Sequence, residues 1–311
     1  MRGQAEGVAR KLRLEFEGAR YHVISRGNYR KDIFEGRSAE AFEKTLFEAC
    51  EKCGWMLHAY VIMSNHYHLA LETPEGNLVD GMRWLQGVFG NRFNAHRGER
   101  GHVFQSRYKS LVVEEGRTLL GLVNYIHLNP VRACMIELEE LRTYRWSSYP
   151  KYFERKVRGP LVRGEFLGAL EFPDSLGGMK HYEKHLMWCE EGEQKERDEM
   201  QKRYCRGWAV AGAEYRKELK SMYREMEGAG EAVGVEFGEL KEAKWERVLM
   251  EELRREGKNL KAAVAEPKAS DWKVRIAGVL RQKTTATNRW IAERLSMGHP
   301  SRVRNLIRDE L

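Results

Sequence analysis

Two histidines separated by one residue, His66 and His68, lie in the stretch MSNHYHLAL (Met63–Leu71), directly after an apparent tight turn at Ser64-Asn65. Side chains on a strand alternate in direction, so His66, His68 and Ala70 share one face, while Tyr67, Leu69 and Leu71 share the other and point into the core. Two residues along a strand are ~6.5–7 Å apart at the backbone, close enough for both imidazoles to converge on one cation. The same pair also reads as two half-exposed histidines on a polar sheet face. Two ligands are in any case an incomplete site, so a further donor and a reactive group must come from elsewhere.

The stretch TLLGLVNYIHLNPVRA (Thr118–Ala133) offers both. Leu119, Leu122, Val123 and Ile126 recur at helical spacing and mark a buried stripe. Tyr125 and Asn129 fall one turn apart beside that stripe, so a phenol and an amide oxygen can face the same point. Pro130 disfavours helical geometry at Asn129, and the helix is expected to end there. Asn129 then either caps the next turn or supplies a ligand oxygen. Tyr125 is either a nucleophile or an ordinary amphipathic tyrosine at the edge of the core.

The elements that must position these groups follow from the pattern. ARYHVISRG (Ala19–Gly27) reads as a strand, Ser38–Cys53 as a helix with Ser38 as N-cap, Trp55–Met63 as a central strand, and His66–Glu72 as its hairpin partner. Leu78 to about His96 is a second long helix, Tyr108–Glu115 a further strand, and Thr118–Leu128 a third helix. This order predicts an α+β sandwich, with helices over one face of a mainly antiparallel sheet.

Three motifs, SNHYHL, YIHLNPVRA some sixty residues later, and YRWSSY (Tyr144–Tyr149), occur in an order and spacing that resembles the REP-associated branch of the single-tyrosine HUH transposases, the IS200-like family. The resemblance covers about residues 10–153, roughly half the chain. It implies a ferredoxin-like or RRM-like fold, a divalent metal, Mg²⁺ or Mn²⁺, bound by His66 and His68 with Asn129 completing the site, and Tyr125 as the nucleophile. The implied reaction is cleavage and rejoining of single-stranded DNA through a 5′-phosphotyrosine, on strands that fold into hairpins at palindromic repeats, by monomers or homodimers. Tyr67, where the family has a plainly apolar residue, is a rival nucleophile that strand alternation turns away from the site. A non-catalytic DNA-binding regulator that keeps the fold, and a nuclease in which water attacks, are the competing readings. The imidazoles must be neutral to bind a cation, so activity is expected to fall below pH ~6.5. A free phenol titrates near ~10, so Tyr125 needs help to ionise.

Basic and aromatic residues interleave near the same motifs. Arg107, Lys109 and Arg145 are expected to contact phosphates, whereas Phe104 and Trp146 are expected to pack in the core. His22 and His102 read as structural. At the C-terminus, Trp290, Ile291 and Leu295, a break at Met297-Gly298, and then Val303, Leu306 and Ile307 resemble a helix-turn-helix, with Thr287 as N-cap and Pro300 early in the second helix. Arg302, Arg304, Asn305 and Arg308 would then be the exposed groups of a recognition helix; a small helical cap is the plainer alternative.

Three regions result: a catalytic domain over 1–153, a helical and linker region over 154–270, and a DNA-binding segment over 271–311. Their net charges are +4, −1 and +5, within a total of +8, so the positive field sits at both ends and suits a polyanion. The five cysteines are odd in number and scattered, Cys50-x-x-Cys53 closes a helix without partner ligands, and neither a signal peptide nor an apolar span is evident. These features predict a cytoplasmic protein without a membrane segment.

Overall fold

The computed structural model describes residues 14–191, 199, 202–228 and 245–308. Its first elements come in the expected order: β1 (Ala19–Arg26), α1 (Arg37–Cys53), β2 (Met56–Ile62), β3 (His66–Thr73), α2 (Leu78–Arg97), β4 (Lys109–Val113) and α3 (Arg117–His127). The strands lie side by side as β2–β3–β1–β4, every pair antiparallel. A strand-helix-strand-strand-helix-strand chain with this neighbour order is the ferredoxin-like sandwich. A two-residue β5 (Ala209–Val210) extends the sheet in parallel beside β4. The pattern of the sequence did not announce β5, because two residues carry no period.

The Ser64-Asn65 turn sets the register at the histidines. Met63 N–H donates to the His66 carbonyl at 2.8 Å, so β3 begins at His66. Across the sheet His68 then pairs with Ile24 of β1 and Val61 of β2, which places all three on one face. The opposite face carries Tyr21, Val23, Tyr67, Leu69 and Leu71, all buried against α1 and α2. Phe42 stacks on Tyr67 at 4.6 Å between ring centroids and meets Phe89 edge-on at 5.1 Å. Each such ring buries enough apolar area to contribute about 2–3 kcal/mol, with roughly 0.5–1.5 more from ring geometry. α1 is not capped by Ser38. Its N-cap is Gly36, with φ +51° and no side-chain hydrogen bond, and Ser38 lies inside the first turn. Gly54, left-handed at φ +66°, ends the helix.

α3 lies on the histidine face against β2 and β3, with Leu119, Leu122, Val123 and Ile126 all buried. After it come α4 (Asn129–Arg132), a 3₁₀ turn (Leu138–Thr143), α5 (Ser148–Lys151), α6 (Gly164–Gly168), α7 (Leu176–Glu190) and α8 (Ala213–Gly228). One buried cluster runs from Ala19 to Leu219 and includes Phe166, Tyr182, Leu186, Tyr204 and Val210. A second, from Leu249 to Val303, is built by α9 (245–255), α10 (Leu260–Ala265), α11 (Asp271–Lys283), α12 (Asn288–Arg294) and α13 (Pro300–Arg308). Lys52 of α1 donates to the Arg281 and Gln282 carbonyls of α11, where the two units touch. The glycine-rich stretch GAGEAVGVEFGE (228–239), whose composition suggests a hinge, lies outside the described residues beyond Gly228. Among the described residues no helix is long and apolar enough to cross a membrane. Cys50 and Cys53 are buried in the first core as plain thiols.

Candidate active site

Four rings meet on the face of the sheet beneath α3. His66 and His68 stand edge to face with centroids 5.0 Å apart, and Tyr125 meets His68 at 5.5 Å. The fourth ring is His22 of β1, stacked on His68 at 5.1 Å and edge-on to Tyr125 at 5.9 Å. Its place follows from the register: His22 pairs with Ala70, one pleat along the same face from His68. The expectation that His22 is merely structural is therefore incomplete. The signal was available, since His22 sits at the centre of β1 with the parity of the site, but only the pairing of β1 with β3 reveals it.

The hydrogen bonds fix the tautomers. His22 Nδ1 lies 2.8 Å from the Tyr204 carbonyl, which can only accept, so Nδ1 carries the proton. His22 Nε2 must then accept, and the group 2.9 Å away is His68 Nδ1–H. His66 Nδ1–H donates to Asn65 Oδ1 at 2.7 Å. Both His66 and His68 are left with an Nε2 lone pair, the form a metal needs. Burial lowers the pKa of His66 to about 4, with Arg26 adding to the effect, and likewise holds His68 well below its ordinary range. The neutral imidazoles therefore persist well below pH 6.5, and the acid fall expected of activity moves down with them. These residues fit a divalent cation.

Asn129 does not cap a turn. It is the first residue of α4, whose N-cap is Leu128 without a side-chain hydrogen bond, and α3 and α4 nearly run on into each other. Its amide instead acts on the Tyr125 hydroxyl, where it favours the ionised phenol. The tyrosine itself is only 3% exposed. Its hydroxyl is 3.1 Å from Cys205 Sγ, and the Tyr204 ring stacks on its own at 5.6 Å. Burial raises its pKa, Cys205 adds to the rise, and Asn129 and Arg132 oppose it. Gly121, one turn earlier on α3, makes room for the cover: a Cβ there would lie 2.1 Å from the Tyr204 hydroxyl. Lys109 donates to the Cys205 carbonyl at 2.6 Å and pins the same segment. In this arrangement the phenol is shielded by residues 204–205, and its burial opposes ionisation. Sequence reasoning missed Tyr204 and Cys205, which no motif marks.

The remaining candidates lie farther out. Arg107 is exposed; Arg145 is exposed, 3.6 Å from Glu40 and stacked over Trp146 at 4.5 Å. Phe104 and Trp146 pack against the core, as expected. Arg302, Arg304 and Asn305 are exposed on α13, whose Val303 is buried; Arg308 ends that helix, and its side chain lies outside the described residues. Thr287 caps α12 by accepting from Trp290 N–H.

Residues 15–129 match the sequence model of the family described as "Transposase IS200 like". Over this segment, which falls short of half of the chain, the protein is similar to IS200-like transposases. Among solved structures, a REP-associated tyrosine transposase bound to a REP hairpin is similar over 51% of this chain and 93% of its own, at 15% identity and a TM-score of 0.41. A second, described as a candidate transposase from Deinococcus radiodurans R1, is similar over 35% of this chain and 88% of its own, at 23% identity and a TM-score of 0.28. A search among curated proteins found no match. The matched segment ends at the last residue of the candidate site, Asn129, so the cover at Tyr204 and Cys205 lies beyond it.

The buried histidines give this domain a measurable pH dependence. Burial lowers His22 and His66 to about 4 and His127 to about 3. Between about pH 4 and 6.5 the unfolded chain therefore binds protons that the folded chain excludes. Stability must rise with pH across that window and be lost as pH falls, by roughly 1.4 kcal/mol per pH unit for each imidazole held neutral. Urea midpoints measured from pH 7 down to 4.5 should drop accordingly; a flat profile would contradict the neutral, buried assignment.

Proposed function

We propose that the chain cleaves and rejoins single-stranded DNA, with Tyr125 as the nucleophile and a divalent cation, Mg²⁺ or Mn²⁺, held by His66, His68 and Asn129. The observation that carries this reading is the convergence of the Tyr125 ring and two imidazoles with free Nε2 lone pairs on one sheet face. When bound, such a cation would polarise a phosphate oxygen and offset developing charge. The chain's own residues do the rest. Tyr125 Oη bonds to phosphorus as the bond from phosphorus to the 3′-oxygen breaks; the phenol gives up its proton and the departing 3′-oxygen takes one up. The product is a 5′-phosphotyrosine and a free 3′-hydroxyl, and attack by a 3′-hydroxyl reverses the step without an external energy source. Asn129 orients the phenol, and Lys109, once released from Cys205, faces the incoming phosphate with Arg107 beside it in sequence. The family resemblance extends the substrate to strands folded as palindromic hairpins.

The test is direct: incubated with a single-stranded hairpin and Mn²⁺, the protein should carry DNA through denaturing electrophoresis. An adduct excludes both the non-catalytic regulator and the water-activating nuclease.

In the same reading the helical unit over 245–308 is a second DNA contact. Arg302, Arg304 and Asn305 stand exposed on a helix anchored by Val303. Cutting the chain at 271 would split the core that Leu249, Leu253 and Ala263 share with Ile276 and Ile291. Removal of 245–311 is the clean deletion. It should weaken DNA affinity at least ~10-fold and flatten its salt dependence, while cleavage of a short oligonucleotide persists. Unchanged affinity would make the unit a structural cap.

A further inference from the structure

We propose that His58, Glu72 and Glu165 form a second divalent-cation site, separate from the His66–His68 pair and suited to a first-row ion such as Zn²⁺. The site is built by an irregularity in the sheet. β2 pairs with β3 at Leu57–Leu71 and again at Ala59–Ala70, so His58 is the extra residue of a β-bulge. A bulge re-aims a side chain that regular alternation would send elsewhere. Here it brings His58 to Glu72, which lies on the same face as His68 but roughly 13 Å farther along β3. Glu165, on the short α6, closes the set from above.

Three features point to an ion rather than to simple ion pairs. His58 Nε2 is 3.5 Å from Glu72 Oε2 and 3.5 Å from Glu165 Oε2. Both distances exceed a hydrogen bond, yet they match the separation of about 3.4 Å between ligands at 2.0–2.2 Å around a tetrahedral ion. One donor atom from each residue falls within 4.8 Å of the other two. His58 is only 1% exposed, and neither ring nitrogen has a hydrogen-bond partner. Buried polar atoms of this kind are normally satisfied.

Arg20 bears on the charge balance. Its Nε lies 3.2 Å from Glu72 Oε2 and 2.8 Å from Glu165 Oε1, and its Nη1 is 3.4 Å from Glu115. Engaging Oε1 of Glu165 leaves Oε2 turned to His58, so the guanidinium orients the carboxylate it shares with the ion. Two carboxylates and one guanidinium leave a net negative charge for a dication to neutralise. A groove of about 470 Å³, lined by His58, Arg163, Gly164, Glu165 and Asp174, opens on the cluster and gives an entry path and a position for water. One imidazole and two carboxylates with an open position form a ligand set that Zn²⁺ accepts.

The experiment uses the full chain, stripped with chelator, in the His66→Ala/His68→Ala background, so that the first site contributes nothing. Zn²⁺ is titrated by calorimetry and bound metal is counted after dialysis, with Co²⁺ as a spectroscopic probe. One equivalent should bind and raise the melting temperature, and added Glu165→Gln should weaken binding at least 10-fold. Added His58→Ala should abolish both uptake and the Co²⁺ ligand-field bands. Should the His58 variant fold poorly, Glu165→Gln, a change on a half-buried side chain of a short helix, decides alone. Absence of uptake, or uptake indifferent to Glu165→Gln, would overturn the site and leave a buried ion-pair cluster. The wild-type chain should bind a further equivalent at the first site; losing only that one would count against the Tyr125 chemistry and not against this cluster.

Discussion

Replacing Tyr125 by phenylalanine should abolish the protein–DNA adduct, by ~10⁴-fold or more, the scale on which removing a nucleophile costs an enzyme. The change takes away one oxygen and keeps the ring. Packing of that ring against Tyr204, His68 and His22 is retained, at centroid distances of 5.6, 5.5 and 5.9 Å. The hydroxyl's partner, Cys205 Sγ, loses one hydrogen bond, so stability should move by only about 1 kcal/mol. Loss of adduct with a melting temperature shifted by no more than a few degrees separates chemistry from folding. Tyr67 cannot substitute: it is fully buried on the opposite face, its hydroxyl held by Gln86. Tyr204→Phe is the control, since it leaves the phenol of Tyr125 intact and should keep the adduct. Undiminished adduct in the Tyr125→Phe protein would remove Tyr125 from the role.

The second large effect concerns the imidazoles. His66→Ala/His68→Ala should eliminate Mn²⁺ binding at this face, read by calorimetry and by electron paramagnetic resonance, and with it the adduct. His22→Ala should cost 10–100-fold in Mn²⁺ affinity, the usual effect of losing a group that orients a metal-binding histidine. The reason is specific. The Tyr204 carbonyl forces the proton onto His22 Nδ1, and His22 Nε2 in turn forces the proton onto His68 Nδ1. Without His22 that nitrogen loses its acceptor and the ring can turn over. His22→Gln, which can accept at the same place, should recover part of the affinity. Mn²⁺ affinity indifferent to His22 would reduce that residue to packing.

Much of this was legible in the sequence, for reasons that differ by element. The alternation of HYHLALE fixed which side chains share a face, and the sheet obeys it from His66 to Leu71. Helical spacing in TLLGLVNYI located the buried stripe of α3, and Tyr125 fell beside it. Local rules were less reliable at boundaries. Ser38 lost the cap of α1 to Gly36, whose backbone reaches a conformation that serine avoids. Pro130 was expected to end the helix at Asn129, leaving that residue as cap or ligand, yet α4 resumes directly and Leu128 stands at the cap. What stayed hidden depends on long-range pairing. His22 enters the site only because β1 is the neighbour of β3, and Tyr204 and Cys205 arrive from some eighty residues beyond Tyr125. The bulge at His58 is equally invisible to a period-two pattern, because a bulge is a break in that period.

The account rests on the phenol of Tyr125 forming the bond to DNA. The most direct measurement is to form the adduct on a single-stranded hairpin with Mn²⁺, digest with protease and nuclease, and locate the modified peptide by mass spectrometry. A nucleotide joined through its 5′-phosphate to Tyr125 is the predicted result. A nucleotide on any other residue, or cleaved DNA with no modified peptide, would contradict it.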